Sequence, residues 1–254
     1  MKKILLCFLF VSLTIDVFAQ DTLRIMTYNV ASGLMGNMQQ IADYIRNKDA
    51  DIVALQEVDL RTNRPETPTQ HGKNQMTELG YFSDLLPIFG SINNYPTGGY
   101  YGLGLLSKYP ILNISNVQLP QVVDKKEPRT MIVGTWDING KLLTVACTHL
   151  SLDSRNREVQ MKYIRKYMRK YKGYKIICGD LNSTYSEGLV AKVFSNWKDA
   201  LPTMQLTFHS NNPYAKYDWM LLENKSNIKI LNTIVDKQCK LSDHLPCYID
   251  IVIP

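Results

Sequence analysis

Short apolar runs alternate with polar segments along this chain, and the period of the apolar positions changes from one run to the next. Leu23 to Asn29 reads as a strand ending at a glycine-containing loop. Met38, Ile41 and Ile45 follow at helical spacing, and Asp51 to Glu57 is a second strand, too apolar to be exposed on both faces. Asp59 to Gly80 is polar and loop-like, apart from a short helix near Gln75 to Leu79. Strands are predicted at Tyr101 to Leu106 and Ile111 to Leu119, joined by a turn at Lys108-Tyr109-Pro110. Arg129 to Ile138 and Lys141 to His149 flank Asn139-Gly140, a strong hairpin signal. Val159, Tyr163, Tyr167 and Tyr171, with Ile164 and Met168, give a helix with a broad apolar face. Further strands are predicted at Lys175 to Asp180, Tyr217 to Leu222, Ile228 to Val235 and Tyr248 to Ile253. Mixed strands with few helices indicate an α/β or α+β protein with extensive sheet, not a barrel of regular βα units.

The N-terminus reads differently. Met1 to Lys3 is basic, Ile4 to Val11 is almost unbroken apolar sequence, and Val17-Phe18-Ala19 offers small residues at the two positions a signal peptidase reads. We expect residues 1–19 to be a signal peptide cleaved after Ala19, residues 20–254 to form one domain, and the mature protein to be secreted or periplasmic. The apolar run is far short of the roughly 20 residues that span a bilayer, so stable membrane insertion is not expected. With 45% hydrophobic and 20% charged residues the chain is a packed globule rather than a disordered one. Without Lys2, Lys3 and Asp16, 27 basic and 22 acidic residues leave a net charge of +5, a mild bias toward anionic ligands. Much of the basic excess falls between Glu158 and Lys172, where a solvated helix face accounts for it. Four cysteines remain. Cys147 and Cys178 lie in apolar runs, whereas Cys239 and Cys247 are close enough in sequence to pair, which sequence cannot decide.

Six polar clusters follow or begin apolar strands, where side chains of separate strands can converge on one rim. They are Asn29, Gln56-Glu57, His149, Gly179-Asp180-Leu181-Asn182, Asp218 and Ser242-Asp243-His244. Singly, each has an ordinary structural reading: a turn residue, a strand-end charge, a helix cap or a satisfied histidine. Together they supply carboxylates, carboxamides and two histidines, but no serine or cysteine nucleophile beside an obvious base. That inventory suits oxygen-ligated Mg²⁺ and hydrolysis by water.

The order of these motifs resembles the endonuclease/exonuclease/phosphatase superfamily, which includes pancreatic deoxyribonuclease. The likeness is carried by Met26-Thr27-Tyr28-Asn29-Val30, Leu55-Gln56-Glu57-Val58-Asp59, Thr148-His149-Leu150, Gly179-Asp180-Leu181-Asn182, Tyr217-Asp218-Trp219-Met220 and Ser242-Asp243-His244-Leu245-Pro246. Gly104 to Ile111 and Thr207-Phe208 fit as well. The resemblance implies a four-layer α/β/β/α sandwich of two mostly antiparallel sheets flanked by helices. It implies a metal-dependent phosphoester hydrolase with Glu57, Asn29 and Asp243 at Mg²⁺, Mn²⁺ or Ca²⁺ being alternative ions. By the same likeness Asp180 orients or deprotonates the attacking water, Asn182 holds a phosphate oxygen, Asp218 supports His244, and His149 lies on the phosphate or leaving-group side. Arg129 and Tyr100 are candidate substrate contacts. Trp219-Met220 stands where the family often has Tyr-Ile or Tyr-Val, which should alter packing more than chemistry.

The superfamily spans nucleases, sphingomyelinases and inositol-phosphate phosphatases, so the substrate stays open. An exported phosphodiesterase or nuclease is the leading expectation, acting on a phosphoester that could be nucleic acid, and as a monomer. A lipid phosphodiesterase or small-molecule phosphatase comes second, and a non-catalytic binding module third. Arg61-Thr62-Asn63-Arg64 and Lys125-Lys126 provide only a little of the basic loop a nuclease groove needs.

Overall fold

Two six-stranded sheets stack face to face in the computed structural model, which describes residues 22–94, 98–124, 126–201 and 205–254. The expected leader and its cleavage point therefore lie outside the described residues. One sheet is built from β1 (Thr22–Asn29), β2 (Ile52–Leu60), β3 (Leu86–Asn94), β4 (Tyr100–Ser107), β11 (Lys229–Val235) and β12 (Cys247–Val252), in the order β11-β12-β1-β2-β4-β3. The other holds β5 (Asn113–Gln118), β6 (Thr130–Ile138), β7 (Lys141–His149), β8 (Tyr174–Asp180), β9 (Trp197–Asp199) and β10 (Asp218–Glu223), in the order β5-β6-β7-β8-β10-β9. Among the described residues only β1 with β2 and β7 with β8 pair in parallel; the other pairings are antiparallel. Each parallel pair needs a crossover, supplied by α1 (Met38–Asn47) and α3 (Ser154–Met168).

Period-two alternation sorts the strands' side chains into layers. Ile25, Ile52, Ala54, Leu103, Leu105, Val145, Ile176 and Ile249 meet between the sheets, around the fully buried Trp136. The alternate residues Met26, Val53, Leu55 and Leu106 pack under α1 and α2 (Gln75–Ser83). Val133, Ala146, Ile177 and Leu221 pack under α3 and α4 (Leu189–Val193). The result is the expected α/β/β/α sandwich. Capping fixes the helix starts: Asn37 and Gln40 exchange backbone and side-chain hydrogen bonds before α1. Asp153 accepts from the amides of Arg155 and Asn156, so α3 begins four residues earlier than its charged run indicates.

β3 departs from the sequence reading, which left Leu86 to Asn94 unassigned. Pro87 masks it, and β3 is an edge strand, where a missing N–H is tolerated. Cys239 and Cys247 are free thiols on opposite faces of one sheet. Cys239 packs in the layer under α1 and α2, and Cys247 between the sheets. Among the described residues, no helix is long and apolar enough to cross a membrane.

Candidate active site

The two parallel pairs end at the same edge of the sandwich. Asn29 closes β1 and sits opposite Gln56; His149 closes β7 and sits opposite Asp180, the last residue of β8. β10 runs the other way and begins at this edge with Asp218, paired to Asp180. Each polar residue is the terminal member of an inward-facing alternate series: Leu23-Ile25-Thr27-Asn29, Val145-Cys147-His149, Ile176-Cys178-Asp180 and Leu222-Met220-Asp218. The site is thus the polar end of the inter-sheet layer. Directly below it Gln56 Nε2 donates to Thr27 Oγ1 at 3.2 Å and approaches Cys147 Sγ at 3.2 Å. Gly179 permits the close approach of β7 and β8 here: its φ is +135°, and a Cβ would lie 2.0 Å from Thr148 O.

Glu57 reaches the cluster by a different device. Strict alternation would turn it toward α1 and α2. Instead the register with β4 shifts between Gln56 and Val58, and Glu57 takes φ +58° as the extra residue of a β-bulge. Val58 then fills the helix-side layer and Glu57 turns to Asn29. A positive φ in a non-glycine residue costs of order 1 kcal/mol or more, so the surrounding ladder has to hold it.

One carboxylate oxygen ties the cluster together. Asp180 Oδ2 lies 3.2 Å from Asn29 Nδ2 and 3.5 Å from the Nε2 atoms of both His149 and His244. Asp180 Oδ1 accepts from the Asn182 amide at 2.8 Å. His244 Nδ1 is 2.8 Å from Asp218 Oδ2, both residues buried, and the Phe208 ring lies 4.8 Å from the imidazole. Glu57 Oε1 accepts from Asn29 Nδ2 at 3.0 Å and is 4.0 Å from His149 Nδ1.

Burial and charge set the proton affinities. Desolvation pushes Asp180 up to about 7, with Asp218 and Glu57 adding to the rise and His244 opposing it. Burial alone would lower His244, but the charges of Asp218, Asp180 and Asp243 outweigh it and raise the imidazole to about 10. His149 lies well below its ordinary value, from burial first and then the positive charges of Arg129 and His244. The two histidines therefore divide at neutral pH: one imidazolium, one neutral ring. Burial also raises Glu57, against the Asn29 hydrogen bond.

The structure brings Asn29, Glu57, His149, Asp180, Asn182, Asp218 and His244 together. Asp243 is half-buried beside them, hydrogen-bonded by Ser242 Oγ at 3.2 Å and close enough to Glu57 to raise its proton affinity. Asn182 donates to Leu150 O at 2.9 Å. Arg129 is buried and paired to Glu127 at 2.9 Å, while its Nε and Nη1 have no hydrogen-bond partner.

Asn29, expected beside the cation, turns its amide nitrogen toward Glu57 and Asp180, and its Oδ1 accepts from the Ala31 amide at 3.1 Å. Two carboxylates require donors, which fixes this orientation. Tyr100 is exposed and has the wrong strand parity to enter the site; Tyr101, sharing the parity of Leu103 and Leu105, is the inward tyrosine, and Glu57 raises its proton affinity further after burial. Arg64, read in the sequence only as part of a short basic stretch, is held by its neighbours: its Nη2 bonds Asp59 Oδ2 at 3.0 Å and Ser32 Oγ at 2.6 Å, with the guanidinium 4.7 Å over Tyr101. Trp219 proves structural: its indole N–H donates to Ser183 O at 2.9 Å and anchors the loop after Asp180.

Known proteins share this arrangement of chain. A 183-residue stretch, 66% of this chain, is 26% identical to the uncharacterized protein YbhP of Escherichia coli K12, covering 69% of that protein. The fold superposes on an endonuclease/exonuclease/phosphatase from Beutenbergia cavernae with a TM-score of 0.73 at 20% identity, covering 91% of this chain and 72% of the other. It superposes on the mannosyl-6-phosphatase Bt3783 of Bacteroides thetaiotaomicron with a TM-score of 0.76 at 15% identity, covering 91% and 99%. Residues 26–244 match the family model for endonucleases, exonucleases and phosphatases, a span that runs from β1 through every residue of the cluster but no further than His244. The chain therefore belongs to the Endonuclease/Exonuclease/phosphatase family, whose members hydrolyse phosphoester bonds.

Proposed function

We propose that the protein is an exported phosphodiesterase that depends on a divalent cation and uses water as its nucleophile. The observation that carries this reading is the shared Asp180 oxygen, within 3.5 Å of Asn29 and both imidazoles. A buried carboxylate raised to about 7 suits a base working near neutral pH. Asp180 takes the proton of the attacking water, and Asn29 and Asn182 hold its two oxygens in place. His244, kept charged by Asp218, donates to a phosphate oxygen as negative charge builds there. His149, a neutral ring, adds a directional hydrogen bond, and the unpartnered Arg129 nitrogens offer charge-assisted donors to phosphate.

The donor set fits a hard cation. Glu57 is 30% exposed at its side chain, with Asp243 near, and among the described residues no group of three His, Cys, Asp or Glu forms a ready-made cage. Mg²⁺ binds in that manner, through one or two carboxylates plus waters and phosphate oxygens, and Mn²⁺ or Ca²⁺ follows the same logic. All four described thiols are buried, so the donors open to an ion are carboxylate oxygens and imidazoles. Glu57 and Asp243 would hold the ion, with Asn29 orienting Glu57. When bound, it supplies Lewis-acid neutralisation of charge on the phosphate and leaving oxygens.

Nucleic acid is the weaker substrate class. Arg64, from the short basic stretch Arg61 to Arg64 that offered only a little toward a nuclease groove, is engaged by Asp59, Ser32 and Tyr101. A small phosphoester is the reading this favours. Hydrolysis of bis(p-nitrophenyl) phosphate and p-nitrophenyl phosphate with Mg²⁺, alongside DNA, RNA and sphingomyelin, tests it. Faster cleavage of the diester supports a phosphodiesterase, a clear monoester advantage supports a phosphatase, and activity undiminished by chelation refutes the cation requirement.

A further inference from the structure

Between the loops after β8 and before β10 lies a groove of about 280 Å³, whose lining includes Thr184, Tyr185, Ser186, Leu206, Tyr214 and the buried Lys216. Its two walls come from the loops that carry the site: Tyr185 follows Asn182 by three residues, and Tyr214 precedes Asp218 by four. Both tyrosines are largely exposed, at 57% and 65%, although large apolar surface is costly to leave in water. An aromatic path joins the groove to the reacting centre. Tyr214 meets the Phe208 ring edge-on at 5.4 Å, and Phe208 lies 4.8 Å from His244. Lys216, the only ionic residue in the lining among the described residues, is neutralised by Asp199 and also donates to Leu201 O at 3.1 Å. Thr184 and Ser186 place two hydroxyls 3.0 Å apart on the same wall as Tyr185.

We infer that this groove is a subsite for an uncharged ring attached to the substrate's phosphate, stacked on Tyr185 and Tyr214 and hydrogen-bonded by the Thr184 and Ser186 hydroxyls. The inference rests on the phosphoester-hydrolase reading and names its substrate class. Two aromatic faces reward a flat or pyranose ring, and the hydroxyl pair suits a hydroxyl-bearing one. A groove with no unpaired charge discriminates against a second ionic group. A glycerol unit has no face to stack, so it gains nothing from either tyrosine. A sugar and a nucleobase share this chemistry and are separated by the probes.

Calorimetric titration with thymidine 5′-monophosphate, glucose 6-phosphate and glycerol 3-phosphate, in the presence of Mg²⁺, tests the subsite without requiring turnover. Wild type is expected to bind at least one ring phosphate more tightly than glycerol 3-phosphate, and the tighter of the two identifies the ring. Tyr185→Ala and Tyr214→Ala should each weaken that ligand by roughly tenfold, the loss of one stacking face, and leave glycerol 3-phosphate unchanged. Tyr214→Phe should retain the ring affinity; both alanine changes are at exposed positions, and unaltered thermal melting confirms the fold. Equal affinity for all three phosphates in wild type, or an equal loss for all three in the alanine variants, overturns the inference. Hydrolysis of bis(p-nitrophenyl) phosphate is measured in parallel. Its absence in wild type sinks the functional reading, while the ring preference stays readable from the titrations.

Discussion

Asp218 and His244 should behave as one unit, in rate and in stability alike. His244 Nδ1 lies 2.8 Å from Asp218 Oδ2 with both side chains buried, and the imidazole is raised from 6.5 to about 10. A shift of that size corresponds to roughly 5 kcal/mol net in favour of the charged ring, after burial has opposed it and with Asp180 and Asp243 sharing in it. Removing Asp218's charge and hydrogen bond lowers the proton affinity of the ring and loosens its hold on one orientation. Asp218→Asn and His244→Ala should therefore each lower kcat/KM by about 10²–10⁴-fold, the range for a positioned acid or base. The double variant should be little worse than His244→Ala, because residues acting as a unit are non-additive. Stability gives a second reading of the same pair. His244→Ala strands a buried carboxylate whose Oδ1 already has no partner, a loss of about 3–5 kcal/mol. Adding Asp218→Asn removes the stranded charge and should restore much of it. Steady-state kinetics and urea unfolding on the four proteins check both cycles. If the rate losses multiply and the double variant is the least stable of the four, the pair does not act as described and Asp218 needs another role.

Glu57→Gln should weaken Mg²⁺ or Mn²⁺ binding by calorimetry at least tenfold while the fold persists; equal affinity in both proteins would remove Glu57 from the ligand set. Asp180→Asn should abolish hydrolysis yet raise the melting temperature of chelated protein at pH 8. The sign follows from linkage: Asp180's folded value is raised to about 7, so its contribution to stability is present below about 4 and lost as pH rises through 7. The gain should shrink as pH falls from 8 toward 4, and a lower melting temperature at pH 8 contradicts the burial argument. Export predicts a mature N-terminus at or near Gln20, and N-terminal sequencing that recovers intact Met1 from the cytosol would refute it.

Much of the site is written in the strand periodicity. Asn29, His149, Asp180 and Asp218 each terminate an alternate apolar series, so once those strands pair at the observed register the four residues must gather at one edge of the inter-sheet layer. The same parity selects Tyr101 over Tyr100, a signal present in the sequence and passed over. Other features required the tertiary structure. Alternation alone sends Glu57 to the helix side, and only the bulge against β4, a strand some 45 positions away, turns it inward. Asn29's orientation depends on two carboxylates, Glu57 and Asp180, the second 151 positions distant. Pro87 hides β3 until an edge is available to take it. Local pattern is set by steric preference and burial within a few residues. The aim of a polar side chain in a buried cluster is set by which partners satisfy it, and those partners are assembled only when the two sheets close.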